Sequence, residues 1–110
     1  MSYFTKISIS VFLFLLSLST NALVVLQYHH VDEGTPASTS VTPAQFIEHM
    51  DLIEELGLEV VDLETATRTI IDSNHDLAES SKQVAISFDD AYYSIMANAF
   101  PELQRRNWPF

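Results

Sequence analysis

The chain has 110 residues, with 15 acidic against 5 basic side chains, four histidines and no cysteine, and a formal charge of −10 at neutral pH. Such a charge speaks against nucleic acid or an anionic membrane surface as partner, because a polyanion is repelled, and is compatible with a neutral or cationic substrate. The absence of cysteine excludes disulfides, lipid attachment through a cysteine and thiolate metal sites, leaving carboxylates and histidines as the available metal ligands.

Residues 1–22 read as a signal peptide. Lys6 supplies a positive n-region, Ile7 to Leu18 form an apolar h-region, and Thr20-Asn21-Ala22 place small residues around a cleavage point. The apolar stretch is shorter than the roughly 20 residues that cross a bilayer as a helix. The expectation is export to the periplasm or beyond, with no stable membrane span after cleavage. Removing residues 1–22 takes away Lys6 and no acid, so the formal charge passes from −10 to −11.

Leu23-Val24-Val25-Leu26-Gln27-Tyr28 is a continuous apolar run too short for a helix, which predicts a first strand buried on both faces; its end delivers His29 and His30. Asp32 to Ser40, with Gly34 and Pro36, reads as a loop that forms a lip over a site. Thr42-Pro43-Ala44-Gln45 combines an N-cap Thr, an N1 Pro and an N3 Gln, the pattern of a capping box. The helix it starts should run to Leu56, with Phe46, Met50, Ile53 and Leu56 as the buried stripe, Gly57 as the left-handed terminator and His49 outside the stripe, on the surface. Leu58 to Leu63 is the second predicted strand and Glu64 to Ile71 the second helix, followed by a polar, irregular stretch from Ser73 to Lys82 in which His75 is solvated. Val84 to Phe88 is the third strand, followed by a helical segment through Ala99, after which Pro101 begins a further helical turn or helix rather than sitting within one continuous helix. Arg105 and Arg106 suit the C-terminal end of that helix. Asn107-Trp108-Pro109-Phe110 reads as a helix exit and the start of another strand, leaving two large aromatics without packing partners, the expectation for the N-terminal part of a longer protein. Strands alternating with helices predict an α/β domain with mostly parallel strands.

The run Val84-Ala85-Ile86-Ser87-Phe88 ends in two adjacent carboxylates, Asp89 and Asp90. Side chains at neighbouring strand positions point to opposite sides, so this pair does not suit two acids flanking a single glycosidic bond. It suits divided labour at the mouth of a sheet or barrel: one carboxylate holds a metal and the other takes a proton from water. The bland reading is that the two acids cap the next helix. His29 ends a strand parallel to the one that carries the pair and would emerge at the same face.

Ser87-Phe88-Asp89-Asp90-Ala91-Tyr92 resembles the Thr-Phe-Asp-Asp-Gly-Tyr motif of the polysaccharide deacetylases, the NodB-homology family of carbohydrate esterases. Gln27-Tyr28-His29-His30-Val31 resembles the Tyr-His-x-Val entry of the branch acting on poly-N-acetylglucosamine, and Thr39 to Phe46 and Ala97 to Leu103 are similar to further segments of that branch. The resemblance covers Leu23 to Phe110 and implies the first half of a distorted β/α barrel. It implies a hydrolase that removes acetyl groups from an acetylated polysaccharide, releasing acetate and a free amine. In it Asp89 would be the general base and Asp90 a ligand of a divalent metal, commonly zinc, while His29, favoured over His30, and Tyr92 would line the active-site wall. Two departures stand out. Ala91 replaces the family's Gly, a strained substitution if that position needs a positive φ or a close backbone approach. The family's His-x-x-x-His motif, which supplies two more metal ligands, does not occur up to Phe110, so this chain alone is expected to bind zinc weakly and to be inactive. Rival readings are Mg²⁺-dependent phosphoryl transfer, against which the export signal speaks, and a catalytically inactive relic or carbohydrate-binding remnant.

Overall fold

The computed structural model describes residues 22–74 and 82–110. The signal-peptide reading, apart from Ala22, and His75 lie outside the described residues. Three strands form a parallel sheet in the order β1, β5, β4: β1 is Val24–Tyr28, β4 Glu59–Val60 and β5 Gln83–Phe88. The register runs Val24 to Val84 through Tyr28 to Phe88 on one side of β5, and Glu59 to Gln83 and Val60 to Val84 on the other. The connection from β1 through helix α1 (Pro43–Glu55) to β4 leaves the place between them that β5 takes after helix α2 (Leu63–Asp72). The fold is thus a mixed α/β arrangement with parallel strands, as expected, and the sheet does not close into a barrel among the described residues.

The centre of the sheet is also its driest part: Val84, Ala85 and Ile86 of β5 are buried. Val84 and Ile86, two residues apart and so on one face, join Tyr28, the α1 stripe Phe46, Met50 and Ile53, and Ile95, Ala99 and Leu103 in one core cluster. Each fully buried side chain of this size contributes roughly 1.5–3 kcal/mol. The expected burial of β1 on both faces is not met, since Val24 and Val25 are exposed. Among the described residues the strand is an edge of the sheet, hydrogen-bonded to β5 alone. Leu56 is likewise exposed, because it is the C-cap of α1, where the stripe has already turned away from the sheet.

The predicted capping box of α1 is present: the Thr42 hydroxyl accepts from Gln45 N–H at 3.1 Å, and the Gln45 side chain accepts from Thr42 N–H at 2.9 Å. Gly57, at φ +64°, ends the helix in a Schellman arrangement, with Gly57 N–H bonded to Glu54 O and Leu58 N–H to Ile53 O. The second strand is shorter than Leu58–Leu63 because Asp62 is the N-cap of α2, its carboxylate accepting from Thr65 N–H at 2.8 Å. That bond holds the Asp62 carboxyl below its usual range.

Two short strands, β2 (His30–Val31) and β3 (Ser40–Val41), form a separate parallel pair. Beyond β5 the chain is helical from Tyr93 to Arg106. Pro101 stands in the first turn of a further helix, as expected. A π-helical stretch, Ile95–Ala99, in which Phe100 N–H reaches back to Ile95 O, precedes helix α3 (Phe100–Arg106) and accommodates the proline near the start of α3. Asn107, at φ +54°, closes α3, and the chain then forms no strand. Nor do the last aromatics lack partners. Trp108 packs against the core with the Arg106 guanidinium 5.5 Å from its ring, and Phe110 meets Phe88 and Phe100 edge-on at 5.6 and 6.0 Å.

Candidate functional site

Parallel pairing in register brings the C-terminal ends of β1 and β5 side by side, Tyr28 opposite Phe88. One residue further, Asp89 N–H donates to Tyr28 O at 2.8 Å, which fixes the backbone where the two acids leave the sheet. The His29 Nε2 lies 3.6 Å from Asp89 Oδ2, with 39% and 52% of the two side chains exposed. A pair this open to water adds little stability. It does hold the imidazole and the carboxylate together at the sheet mouth, as the strand-end reading of His29 anticipates.

Asp90 sits at φ +57°, in the left-handed region, and its carbonyl accepts from Tyr92 N–H at 3.0 Å. Asp tolerates this region better than most residues because its short polar side chain bonds locally. The positive φ thus falls on Asp90 and not on Ala91, so no left-handed strain falls on the Cβ at position 91. The helical run begins at Tyr93, so Tyr92 and not either acid of the pair stands at its N-cap position.

The two carboxylates lie just beyond the end of β5 and have different surroundings. Asp90 lines a cleft of about 760 Å³ together with Ala91 and Tyr92, floored by Ile86 and Phe88, with Asp62 and Phe110 also on its wall. Asp89 points to His29, which with His30 and Ser38–Val41 lines a smaller hollow of about 200 Å³. The loop expected to form a lip does so through Ser38, Thr39 and Ser40, braced by the Thr35 and Ser40 hydroxyls 2.6 Å apart. Tyr92 joins the two sides. The negative charge of Asp90 raises its phenol pKa, with desolvation and a hydrogen bond to Asp90 adding to the effect, and its ring stacks on His30 at 3.7 Å and 27°. His30 therefore belongs to the constellation as much as His29.

His49, expected on the surface, is exposed but not idle: its Nδ1 is 2.9 Å from the Tyr28 hydroxyl, whose pKa burial pushes up to about 12. Two residues that sequence reasoning gave no role hold the histidine segment in place. The Ser94 hydroxyl accepts from Val31 N–H at 3.3 Å, and the Asn98 amide donates to Val31 O at 2.7 Å. Only their helical spacing, four residues apart, is visible in the sequence, and it is shared by many unrelated pairs.

Catalytic zinc takes three protein ligands and a water. Among the described residues, no group of three or more His, Cys, Asp or Glu side chains converges to hold an ion. The described residues alone do not make a metal centre. Among them, too, no helix is long and apolar enough to cross a membrane.

No protein-family model matches the chain, and no curated protein matches it. Solved structures do. The chain is similar to IcaB from Ammonifex degensii, with 28% identity and a TM-score of 0.70 over 84% of this chain and 37% of that one. It is similar as well to BA0330, a candidate polysaccharide deacetylase from Bacillus anthracis, with 27% identity and a TM-score of 0.54 over 76% of this chain and 24% of that one. The chain thus spans about a third of the first and a quarter of the second. The parallel sheet, the Ser87–Tyr92 motif at its mouth and these two likenesses support a kinship with the polysaccharide deacetylases.

Proposed function

We propose that this chain, residues 23–110 of which form part of a NodB-like domain behind a signal peptide, serves hydrolytic N-deacetylation of an exported acetylated polysaccharide of the poly-N-acetylglucosamine type. The observation that carries the reading is the disposition of Asp89 and Asp90 just beyond the C-terminal end of the central parallel strand, Asp89 beside His29 and Asp90 on the wall of the wider cleft. Asp89, with its backbone pinned to Tyr28 and its carboxylate open to water beside His29, takes the proton of the attacking water at Oδ. Asp90 contributes one ligand to a divalent metal, zinc in this reading, whose other ligands come from outside the described residues. When bound, such an ion lowers the pKa of water and polarises the acetamide carbonyl. Tyr92 and His29 wall the substrate, and the acidic surface tolerates the cationic amines the reaction leaves behind.

Acetate release from acetylated glucosamine oligomers, measured alongside calorimetric zinc titration, tests this. The 110-residue chain by itself should bind zinc weakly and release no acetate. In a polypeptide that carries the remaining ligands, Asp90→Asn should abolish tight zinc binding. There, Asp89→Asn should leave zinc affinity intact and cost roughly 10²–10⁴ in rate, the usual worth of a general base. Full acetate release in both variants would overturn the reading.

A further inference from the structure

We propose that Ser94 and Asn98 are positioning residues that set the placement of the two histidines against the Asp89–Tyr92 turn; this rests on the deacetylase reading only in what the placement is for. Val31 is fully buried, and its β3 neighbour lies on the opposite side from its peptide groups, since the next residue, Asp32, donates its N–H to Val41 O at 3.0 Å. Peptide groups alternate in direction along a strand, so the Val31 N–H and C=O point away from β3, towards the helix that follows the Asp pair. There they would be unmet in a buried place, a costly condition. Ser94 and Asn98 meet both, Ser94 by accepting and Asn98 by donating. The two residues lie four apart where the helix widens into its π-helical stretch, Ile95–Ala99, which brings positions four apart closer to alignment along one face.

The consequence is a zipper of contacts between two segments distant in sequence. His29 meets Asp89, His30 stacks on Tyr92, and Val31 is held by Ser94 and Asn98. The first two contacts are open to water and weak; the third is directional, its Ser94 bond buried and its Asn98 bond partly so. The clamp on Val31 therefore dictates where the imidazoles stand, and the helix carrying it is the one entered directly from the acids.

The test uses the whole chain and nuclear magnetic resonance. In the wild type the His30 ring should show cross-peaks to Tyr92 and ring protons shifted upfield by stacking. Asn98→Asp replaces the donor by a carboxylate of the same shape and should lose these cross-peaks at neutral pH while the Val84 and Ile86 core signals persist. Acidification, which returns a proton for the substituted carboxyl to donate, should restore them. Ser94→Ala should weaken the stacking signals, and Ser94→Thr, which keeps the hydroxyl, should retain them. If Asn98→Asp does not fold at neutral pH, the Ser94 pair decides by the same signals. Unchanged His30–Tyr92 cross-peaks in folded Asn98→Asp and Ser94→Ala, or a loss that appears only with global unfolding, would overturn the clamp. Because no readout involves acetate or metal, failure of the deacetylase reading leaves this result standing, and the reverse.

Discussion

Asp90 carries the left-handed backbone conformation at the sheet mouth, while Ala91 beside it does not. Strain held at a turn that presents a carboxylate to a cleft is the usual mark of a position kept for chemistry. Asp90→Ala should therefore cost about 1 kcal/mol of stability, since Ala lacks the local bonding that makes Asp tolerable at positive φ. Ala91→Gly should not stabilise, and should instead lose roughly 0.5 kcal/mol through the freer unfolded chain. Urea midpoints check both, and a higher midpoint for Ala91→Gly would contradict the turn geometry. Tyr28 offers a second residue-scale test. Burial raises its pKa to about 12, so the folded state keeps a proton that the unfolded chain loses near pH 10. Stability from this group is complete below about pH 10 and declines as pH rises towards 12. Tyr28→Phe should flatten that alkaline decline in unfolding experiments, at the cost of the bond to His49.

Among the elements, α1 is the most explicit in the sequence, because its start and stop are both local chemistry. Thr42→Ala removes half of the capping box and should cost about 1 kcal/mol. Gly57→Ala meets open space but must hold φ +64°, so its cost, again about 1 kcal/mol, is conformational alone; thermal melts of the two variants should show shifts of similar size. Elements whose limits depend on neighbours were less legible. Asp62 reads as the end of a strand until its carboxylate is seen capping Thr65. Pro101 reads as the start of a further helix, which it is, but nothing local announces the π-helical stretch that joins that helix to the segment before it. The burial of β1 was overestimated because apolar character does not reveal how many strands flank it. In the candidate site, the Asp pair and His29 were legible because strand direction alone brings their ends together. The roles of His30, Ser94 and Asn98 were not, since each depends on a partner more than sixty residues away.

At the scale of the molecule, one residue joins the first long helix to the last. Arg106 reads as a complement to the dipole of its own helix, but its side chain is only 2% exposed and bonds to Asp51 and Glu54 of α1 as well as Glu102 of α3. Burial alone would lower the guanidinium pKa; the three carboxylates outweigh it and raise it. In return, the hydrogen bonds from Arg106 and Arg105 hold the Glu102 carboxyl below the usual range. The sign follows from proton linkage. As pH falls through the ordinary Glu value of about 4.3, the unfolded chain takes up protons before the folded one, so stability present at neutral pH is lost on the way down through the folded pKa. Arg106→Met removes the cation and keeps much of the packing over Trp108, leaving three acids close together with only Arg105, on Glu102, to oppose them. Its neutral-pH stability should fall by about 2 kcal/mol, the scale for losing hydrogen bonds to charged groups. Its acid limb should change direction too, because protonation now relieves repulsion instead of breaking ion pairs. Urea unfolding from neutral pH to about pH 3 measures both effects, with Asp62→Asn as a control for the other depressed carboxyl. Parallel acid limbs in wild type and Arg106→Met would mean that α1 and α3 are held by the shared core of Phe46, Met50 and Leu103 without help from the charge cluster.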